Sequence, residues 1–455
     1  MGVLETDYLV VGTGAIGLAF TDVLVAESDA DVLVVDRRPD VGGHWNDAYP
    51  FVRLHQPSVT YGLPSLPLGR SRVVDGQQER ATGAEVLDHL RRGLEEVLLP
   101  SGRVRFLGGT EADLVGPPRL VDLATGTTTD VRVRRKVVDA TRLSGQVPAT
   151  AVPSYDVAAG ARWVRVGELP DVAGEASSYC VIGAGKTGMD ACLWLLETGV
   201  DPDAITWVRP RDMWLLDRAS IQPLDEVASI LEGMALDLEA LALATSTEDL
   251  FARLESSGRL LRLDDEVVPT GFRCAFVDAA ELGRLRSLRH VVRKGHVRRV
   301  EAGRLVLTEG EVALTADALV IDCSARGLPA LPPVPVFTED RVVVQYVRQC
   351  SPTFGAALCA WVEAHRDDVH EQNALCPPNP PPSSSLDWIR VTLTTLQAAR
   401  AWRGAPDLLA WMEGCRLDIA RGAAEHAHEQ RMQDAFVRRQ AHLKQAVQRA
   451  GVLLG

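Results

Sequence analysis

Two glycine-rich turns of the form G-x-G-x-x-G constrain this chain more than any other feature of its sequence. The first, Gly12–Gly17, follows the apolar run Asp7–Val11, and the second, Gly183–Gly188, follows the apolar run Tyr179–Ile182. In such a turn the first glycine allows the tight bend and the second lets the backbone approach a pyrophosphate. The third lets helix and strand pack closely. The sequence therefore predicts two βαβ units that bind dinucleotides.

The two halves of the chain also repeat a longer pattern. After each turn come a helix, which we expect to start at Leu18 and at Met189, a second strand, and later a series of short strands and turns. Each half then ends in an apolar strand followed by Asp, at Val137–Arg142 (VVDATR) and at Val320–Gly327 (VIDCSARG). A repeated unit says more about the fold than either turn alone. We predict an α/β fold with two Rossmann-like domains.

The remaining patterns suggest how the chain is divided. We expect residues 1–150 to form the first part of one nucleotide-binding domain. Residues 175–323 should form the second domain, with a helical insertion near 219–254. Residues 324–455 should return to the first domain and add a C-terminal helical region. That region should open with a helix from Ser351-Pro352 to about His365, because Ser is a good N-cap and Pro suits the first helical position.

The ends of the second strands distinguish the two sites. Asp36 stands about twenty residues after the first turn, at a strand end where its carboxylate can bond ribose hydroxyls. The second unit has Arg209-Pro210-Arg211 there and no acid. A guanidinium binds a 2′-phosphate that an acid would repel, so the pattern favours NADPH over NADH. The alternative is that these arginines are a solvated strand end, and Lys186 could likewise serve the phosphate or point to solvent.

Composition argues against several other classes of protein. The 455 residues carry a net charge of −13 with no basic block, which argues against nucleic acid or an anionic membrane as partner. No apolar run reaches the length of a bilayer, and the first strand starts too early for a signal peptide, so we expect a cytoplasmic protein. The many Arg and few Lys are typical of a GC-rich bacterial genome. The eight scattered Cys have no C-x-x-C or zinc spacing. We expect reduced thiols and no metal site.

The segment after Asp36 resembles a known family. Val41–Trp45 reads VGGHW and is similar to the GG-x-W segment of flavin-containing monooxygenases and their Baeyer–Villiger and N-hydroxylating relatives. Tyr49–Pro67 is similar to the stretch that lines the flavin ring in that family, and the order of parts matches from Asp7 to Arg326. The resemblance implies FAD at the first turn and NADPH at the second. It also implies an FAD domain assembled from both chain ends, with the NADPH domain inserted.

The chain departs from the family pattern between the two turns. The fingerprint F-x-G-x-x-x-H-x-x-x-(W/Y/F) is expected there, and its nearest match contains Gly160. Val164 stands in place of the His and Glu168 in place of the aromatic residue. Arg142 and Ala325 occupy the glycine positions of the family's Ala-Thr-Gly linkers. The missing fingerprint favours an alternative function, an NADPH-dependent flavin reductase or dehydrogenase without oxygen insertion. A nucleotide-binding regulatory protein without turnover is a third hypothesis.

The resemblance implies an NADPH-dependent FAD monooxygenase that uses O₂ and a flavin hydroperoxide on a small organic substrate. Gln56 matches by position an amide that holds the oxygen adduct, His55 could act as acid or base, and Arg53 could hold an anionic substrate. The simpler alternatives are a loop hydrogen bond, a packed histidine and an ordinary ion pair. A homodimer through helices such as Pro406–Arg416 is also open.

The two turns and the segments around them supply the candidate cofactor residues. For FAD the candidates are Gly12, Gly14, Ala15, Gly17, Asp36, Arg37, Gly43, His44, Trp45 and Thr141, and for NADPH they are Gly183, Gly185, Lys186, Thr187, Gly188, Arg209 and Arg211.

Overall fold

The computed structural model describes residues 3–325, 327–328 and 331–455. Its strands are β1 (Leu4–Val11), β2 (Val32–Val35), β3 (Val73–Val74), β4 (Gln77–Gln78), β5 (Val104–Leu107), β6 (Thr110–Asp113), β7 (Arg119–Asp122), β8 (Thr128–Asp139), β9 (Asp156–Val157), β10 (Trp163–Arg165), β11 (Tyr179–Ile182), β12 (Ile205–Val208), β13 (Met213–Asp217), β14 (Leu260–Leu261), β15 (Gly271–Val277), β16 (His290–Val292), β17 (Val297–Glu301), β18 (Arg304–Leu307), β19 (Gly310–Ala313), β20 (Leu319–Asp322) and β21 (Arg341–Val343).

The helices alternate with these strands in the first part of the chain and dominate the last part. They are α1 (Ala15–Glu27), α2 (Gly83–Arg92), α3 (Leu169–Val172), α4 (Lys186–Glu197), α5 (Val227–Leu243), α6 (Thr247–Ser256), α7 (Ala279–Arg286), α8 (Pro352–His365), α9 (Val369–Leu375), α10 (Ser385–Arg403), α11 (Pro406–Gly414) and α12 (Gln430–Leu454). Of the helices in these described ranges, none combines the length and the apolar character needed to cross a membrane.

Two sheets form the framework of the molecule, a mixed one in the first unit, where β6, β7 and β8 pair antiparallel, and a parallel one in the second. In the first, the order is β5-β2-β1-β8-β7-β6, and β21 also pairs with β8. In the second, the order is β10-β20-β11-β12-β16, and every pair is parallel. All residues of β2, β11 and β20 are buried, as expected for parallel strands covered on both faces. The two Rossmann-like units and the α/β fold class are therefore confirmed.

The chain returns to the first unit after leaving the second. β21 pairs with β8 in parallel, and α8 packs against α1, which follows the first glycine-rich turn. The second unit also takes up short strands from before residue 175, because β9 pairs with β17 and β10 with β20. The nucleotide-binding units are thus interleaved in the order first, second, first.

The glycine-rich turns lie closer to their helices than the sequence indicated. We expected helices to start at Leu18 and Met189, but α1 starts at Ala15 and α4 at Lys186. The expectation was wrong because it treated the third glycine of each motif as part of a loop. Gly17 and Gly188 instead lie in the first turn of their helices. This places the free N–H groups of each helix directly at the turn.

The part of the chain expected as an insertion lies among a small sheet and two helices. β13 lies between β14 and β15 in a small sheet, and α5 and α6 follow β13 in the chain. The C-terminal helix α12 lies along α5 and also contacts α10. Their contact buries Leu238 and Leu241 of α5 together with Ala446 and Ala450 of α12. The C-terminal helices therefore cover the insertion, and the two together enclose space beside the first unit.

A disulfide joins Cys274 of β15 to Cys350, which lies just before α8. The expectation of reduced thiols was therefore wrong for these two residues, while the other six cysteines are free and buried. The partners stand 76 residues apart in sequence. They meet only because the insertion folds against the returning chain, so their spacing carries no signal.

This cross-link should contribute measurably to stability. Cys350→Ala should lower the free energy of unfolding by about 4 kcal/mol, because the bond closes a long loop and restricts the unfolded chain. Denaturant unfolding under non-reducing conditions measures this difference. Reductant should bring the wild-type protein to the level of the variant and leave the variant unchanged. Equal stability of the two proteins without reductant would contradict the prediction.

Candidate functional site

In both units, an Asp at the end of a strand beside the glycine-rich turn accepts the same pair of hydrogen bonds. Asp139, at the end of β8, accepts hydrogen bonds at Oδ1 from the Thr141 backbone N–H (2.8 Å) and hydroxyl (2.6 Å). Asp322, at the end of β20, accepts the same pair from Ser324, at 2.9 and 2.6 Å. The repeat seen in the sequence therefore corresponds to two equivalent turns, and Thr141 shapes the first of them.

The residue that follows each of these two strands lies in close contact with the first glycine of the neighbouring motif. A Cβ added to Gly12 would lie 3.4 Å from the Ala140 carbonyl oxygen, and one added to Gly183 would lie 2.6 Å from that of Cys323. Both glycines have positive φ, +101° and +131°. A side chain is therefore excluded at Gly183 by contact and is strained at both positions.

The first turn is joined to the GG-x-W segment. A Cβ on Gly43 would lie 2.9 Å from the Gly14 Cα, and the Gly42 N–H donates to the Thr13 carbonyl (3.0 Å). Gly14, the second glycine of the motif, therefore packs against the backbone of Gly43 rather than against a side chain. The two backbones form one continuous surface that a pyrophosphate can approach.

Aromatic groups extend this surface. His44 is exposed and stacks on Trp45, with ring centroids 5.2 Å apart. Trp45 is buried, and its indole N–H donates to the Tyr61 hydroxyl (2.8 Å). This bond ties the GG-x-W segment to the stretch that follows it, as the resemblance to flavin-containing monooxygenases implied for neighbouring parts of one site.

Asp36 lies at the first turn, and its carboxylate accepts hydrogen bonds from other groups of the protein. Its Oδ2 accepts from the Thr13 N–H (2.7 Å) and hydroxyl (2.8 Å), and its Oδ1 accepts from the Arg38 N–H (2.9 Å). A carboxylate oxygen has two accepting positions, so Oδ1 retains one for a ribose hydroxyl. Asp36 thus orders the turn, and its bond to a ribose hydroxyl stays a prediction; Arg37 beside it is exposed.

The second turn leaves open space where a dinucleotide would lie. A Cβ on Gly185 would meet nothing within 4 Å, whereas one on Gly188 would lie 2.1 Å from the Gly183 carbonyl oxygen. That carbonyl also accepts from the Trp207 indole N–H (2.8 Å). The turn is therefore tightly packed between Gly183 and Gly188, and there is open space beside Gly185. This arrangement fits a pyrophosphate at the start of α4.

The two predicted arginines have different environments. Arg209 is only 2% exposed; its guanidinium lies 4.7 Å from the Trp207 ring centroid and 3.3 Å from Asp212. Burial lowers the pKa of Arg209. Asp212 also pairs with Arg293 (2.8 Å). Arg211 is exposed. Contact of Arg209 with a 2′-phosphate stays a prediction, and Arg211 is the arginine whose side chain is accessible.

Lys186 has a partner within the protein. Its ammonium group pairs with Asp190 one turn along α4. Asp190 also accepts from the Tyr49 hydroxyl (2.6 Å), and burial together with the charge of Asp190 raises the pKa of Tyr49 well above its usual value. Tyr49 belongs to the stretch that resembles a flavin-lining segment. The helix of the second turn is therefore bonded directly to the first unit.

A buried ion cluster makes a second connection. Arg218, 1% exposed, pairs with Asp278 (2.6 Å) and Glu281 (2.7 Å), and its Nε donates to the His55 carbonyl (3.3 Å). Arg80 of the first unit also pairs with Glu281 (2.9 Å). These residues lie in segments without a recognisable motif, so sequence reasoning missed them. The cluster is recognisable only in the folded chain, where these positive and negative side chains lie next to one another.

Burial and nearby cations, two of which belong to this cluster, determine the charge state of His55. Burial, followed by the positive charges of Lys186, Arg218 and Arg80, lowers the pKa of His55 well below its usual value. The imidazole is therefore neutral at physiological pH. It can accept or donate a hydrogen bond, but it does not carry the extra proton of an imidazolium acid.

Gln56 lies on the wall of a cavity of about 410 Å³. Its amide nitrogen donates to the Thr60 carbonyl at 3.4 Å, and the insertion and the C-terminal helices form the rest of the wall. Arg53 is exposed and donates to the Arg80 carbonyl (3.3 Å). The structure therefore brings Gln56 to this cavity and leaves Arg53 outside its lining.

The segment that departs from the monooxygenase fingerprint has structural contacts. Val164 lies in β10, pairs with Ile321 of β20 and packs against the core of the second unit. Glu168 accepts a hydrogen bond from the Arg165 N–H (2.9 Å). The two residues that replace the family's His and aromatic residue thus contribute to the fold of the second sheet.

Comparison with known proteins places this architecture among characterised folds. The family model of the NAD(P)-binding Rossmann-like domain matches residues 10–69. Two proteins, Rv2000 of Mycobacterium tuberculosis (strain ATCC 25618 / H37Rv) and Mb2023 of Mycobacterium bovis (strain ATCC BAA-935 / AF2122/97), are each 46% identical over 422 residues. The matches cover 91% of this chain and 78% of each relative.

Solved structures share the fold over most of the chain. Polycyclic ketone monooxygenase from the fungus Thermothelomyces thermophila superposes with a TM-score of 0.52 at 14% identity, covering 99% of this chain and 88% of that one. Oxidized steroid monooxygenase bound to NADP gives 0.50 at 16% identity, covering 82% and 85%. The closed form of cyclohexanone monooxygenase gives 0.50 at 14% identity, covering 94% and 98%. The fold implied by the sequence resemblance is confirmed.

The contrast between Gly185 and Gly188 gives a test of the second site. Gly188→Ala should lower the free energy of unfolding by on the order of 2 kcal/mol or more, because its methyl group would collide with a backbone oxygen. Gly185→Ala should unfold like the wild-type protein and bind NADP⁺ more weakly, because its methyl group enters the space of the pyrophosphate. Thermal unfolding and titration calorimetry measure the two effects. Equal stability of both variants would contradict this assignment of the glycines.

Proposed function

We propose that this chain, which belongs to the same family as the mycobacterial protein Rv2000, is an FAD- and NADPH-dependent monooxygenase that acts on a small organic substrate. One observation carries the proposal: the segment that contains Gln56 contacts both nucleotide sites. Gln56 itself lies in the cavity wall. Earlier in the same segment the Tyr49 hydroxyl is bonded to α4, and the segment follows Gly43, which contacts the first turn. Both nucleotide sites therefore converge on the segment that borders the cavity.

The residues at the two turns fit the two cofactors. The shared backbone surface at Gly14 and Gly43 suits the FAD pyrophosphate, and the free position of Asp36 suits its ribose. The open space at Gly185 suits the pyrophosphate of NADPH, with Arg211 exposed for the 2′-phosphate. When bound, these cofactors supply hydride transfer from NADPH to FAD and electrons for O₂. The fold shared with three monooxygenases supports the same assignment.

The chain contributes polar side chains near the cavity. The neutral His55 offers a hydrogen-bonding ring, and its pKa is lowered by burial and then by the cations Lys186, Arg218 and Arg80, each of which is also paired with a carboxylate. The Gln56 amide can donate or accept a hydrogen bond at the cavity wall. Such preorganised groups stabilise developing negative charge without having to reorganise during the reaction. Arg53 does not line the cavity, and its contact with substrate stays a prediction.

A second candidate function is an NADPH-dependent flavin reductase or dehydrogenase that transfers electrons without inserting oxygen. The observation that favours it is the fingerprint segment. Val164 and Glu168 provide packing and a backbone hydrogen bond where the family pattern has a histidine and an aromatic residue. The fate of O₂ distinguishes this candidate from the monooxygenase.

We predict that the protein incorporates isotope-labelled O₂ into a product when it is supplied with NADPH and a set of small ketones, sulfides and amines. Mass spectrometry of the products measures the label. Gln56→Ala should divert turnover to hydrogen peroxide and leave the rate of flavin reduction by NADPH nearly unchanged, since that step depends on the two nucleotide sites. NADPH oxidation that yields only hydrogen peroxide in the wild-type protein, with every compound, would support the reductase instead.

The two arginines after β12 should also differ in their effects. Arg211→Ala should weaken binding of NADPH roughly ten-fold and leave NADH unchanged, because a charge-assisted contact to the 2′-phosphate is lost. Arg209→Ala should lower the thermal unfolding midpoint, since it leaves Asp212 short of a buried partner. Steady-state kinetics with both coenzymes and thermal unfolding provide the comparison. Loss of NADPH selectivity in Arg209→Ala with none in Arg211→Ala would reverse the two roles.

A further inference from the structure

The walls of the cavity beside Gln56 are mainly apolar. The insertion contributes Ile230 and Met234, and the C-terminal helices contribute Trp388, Leu396 and Trp402. A surface of this kind removes hydrocarbon from water and favours an aliphatic or aromatic ligand. The few charged groups in the same wall must therefore determine which apolar molecules are preferred.

Two of the three guanidinium groups in the wall are neutralised by the protein. Arg259 makes two parallel bonds to Asp237, both at 2.8 Å. Arg348 pairs with Asp418 at 2.7 Å. All four residues border the cavity, so their charges cancel in pairs there. Arg259 has no free carboxylate-binding fork to offer a ligand, and the charge of Arg348 is balanced by Asp418.

The third guanidinium, Arg439 of α12, has no such partner. Among the residues that the structure describes, no carboxylate lies within 4.0 Å of it, and its side chain makes no hydrogen bond to the protein. Burial and the like charge of Arg403 lower the pKa of Arg439. An arginine nevertheless stays protonated in proteins. The cavity wall therefore carries one uncompensated positive charge.

We propose that this cavity binds an organic carboxylate with an apolar body, and that Arg439 pairs with its carboxylate. The planar guanidinium offers two parallel N–H groups that match a carboxylate, and the apolar wall receives the remainder of the molecule. A neutral ligand of the same shape leaves the partly buried cation without a counter-charge. The inference rests on the proposed function only in taking this cavity as the substrate site.

Calorimetric binding to the purified, oxidised flavoprotein without NADPH tests the proposal. The probes are phenylbutanoate and its neutral amide, phenylbutanamide, which match in size and shape. The wild-type protein should bind the carboxylate at least ten-fold more tightly than the amide. Arg439→Gln should bind the two equally, and Arg439→Lys should retain part of the preference because it keeps the charge.

Arg438→Gln is the matched control. Arg438 is the neighbouring residue, is exposed, and pairs with Glu239 (3.4 Å) instead of lining the cavity. This variant should keep the wild-type preference. Thermal unfolding of each variant, compared with the wild-type protein, shows that any lost preference occurs in a folded protein.

Three outcomes would overturn the proposal. These are equal affinity of the wild-type protein for both probes, a preference that survives in Arg439→Gln, and no binding of either probe at millimolar concentration. The measurement requires no turnover, so it is independent of oxygen insertion. Carboxylate binding that depends on Arg439, in a protein that forms no oxygenated product, would refute the monooxygenase and leave this inference standing.

Discussion

The buried cluster around Arg218 is the interaction on which the site depends. Its guanidinium is removed from water and is satisfied by Asp278, Glu281 and the His55 carbonyl. Removing one partner of such a cluster costs about 3–5 kcal/mol, because a charge is left buried without compensation. The cluster joins the second unit to the cavity-lining segment of the first. The position of Gln56 beside the cavity therefore depends on charges that lie far from it in sequence.

Local patterns predicted the framework well. The glycine motifs gave both βαβ units, and Ser351-Pro352 gave the start of α8, which ends at His365 as expected. Such features depend on the conformations of a few adjacent residues, so a single sequence contains them. Helix starts at Leu18 and Met189 were wrong because glycines inside a helix resemble a loop until their packing is seen.

The site was less predictable because its properties arise from long-range contacts. Asp36 was placed at the first turn, yet its bonds to Thr13 could not be read from the motif. The contacts of buried Arg209 are with Trp207 and Asp212, and the neutrality of His55 follows from its burial in the folded chain and from three cations in other segments. The bond between Cys274 and Cys350 depends in the same way on where the returning chain crosses the insertion.

That bond has a mechanical consequence. Cys350 borders the cavity and leads into α8, which is packed on the first unit, whereas Cys274 belongs to the insertion in the second. Their covalent link joins the two segments at the cavity wall. The wall of the cavity is therefore covalently closed between β15 and the start of α8, and the two segments cannot separate there while the bond is intact.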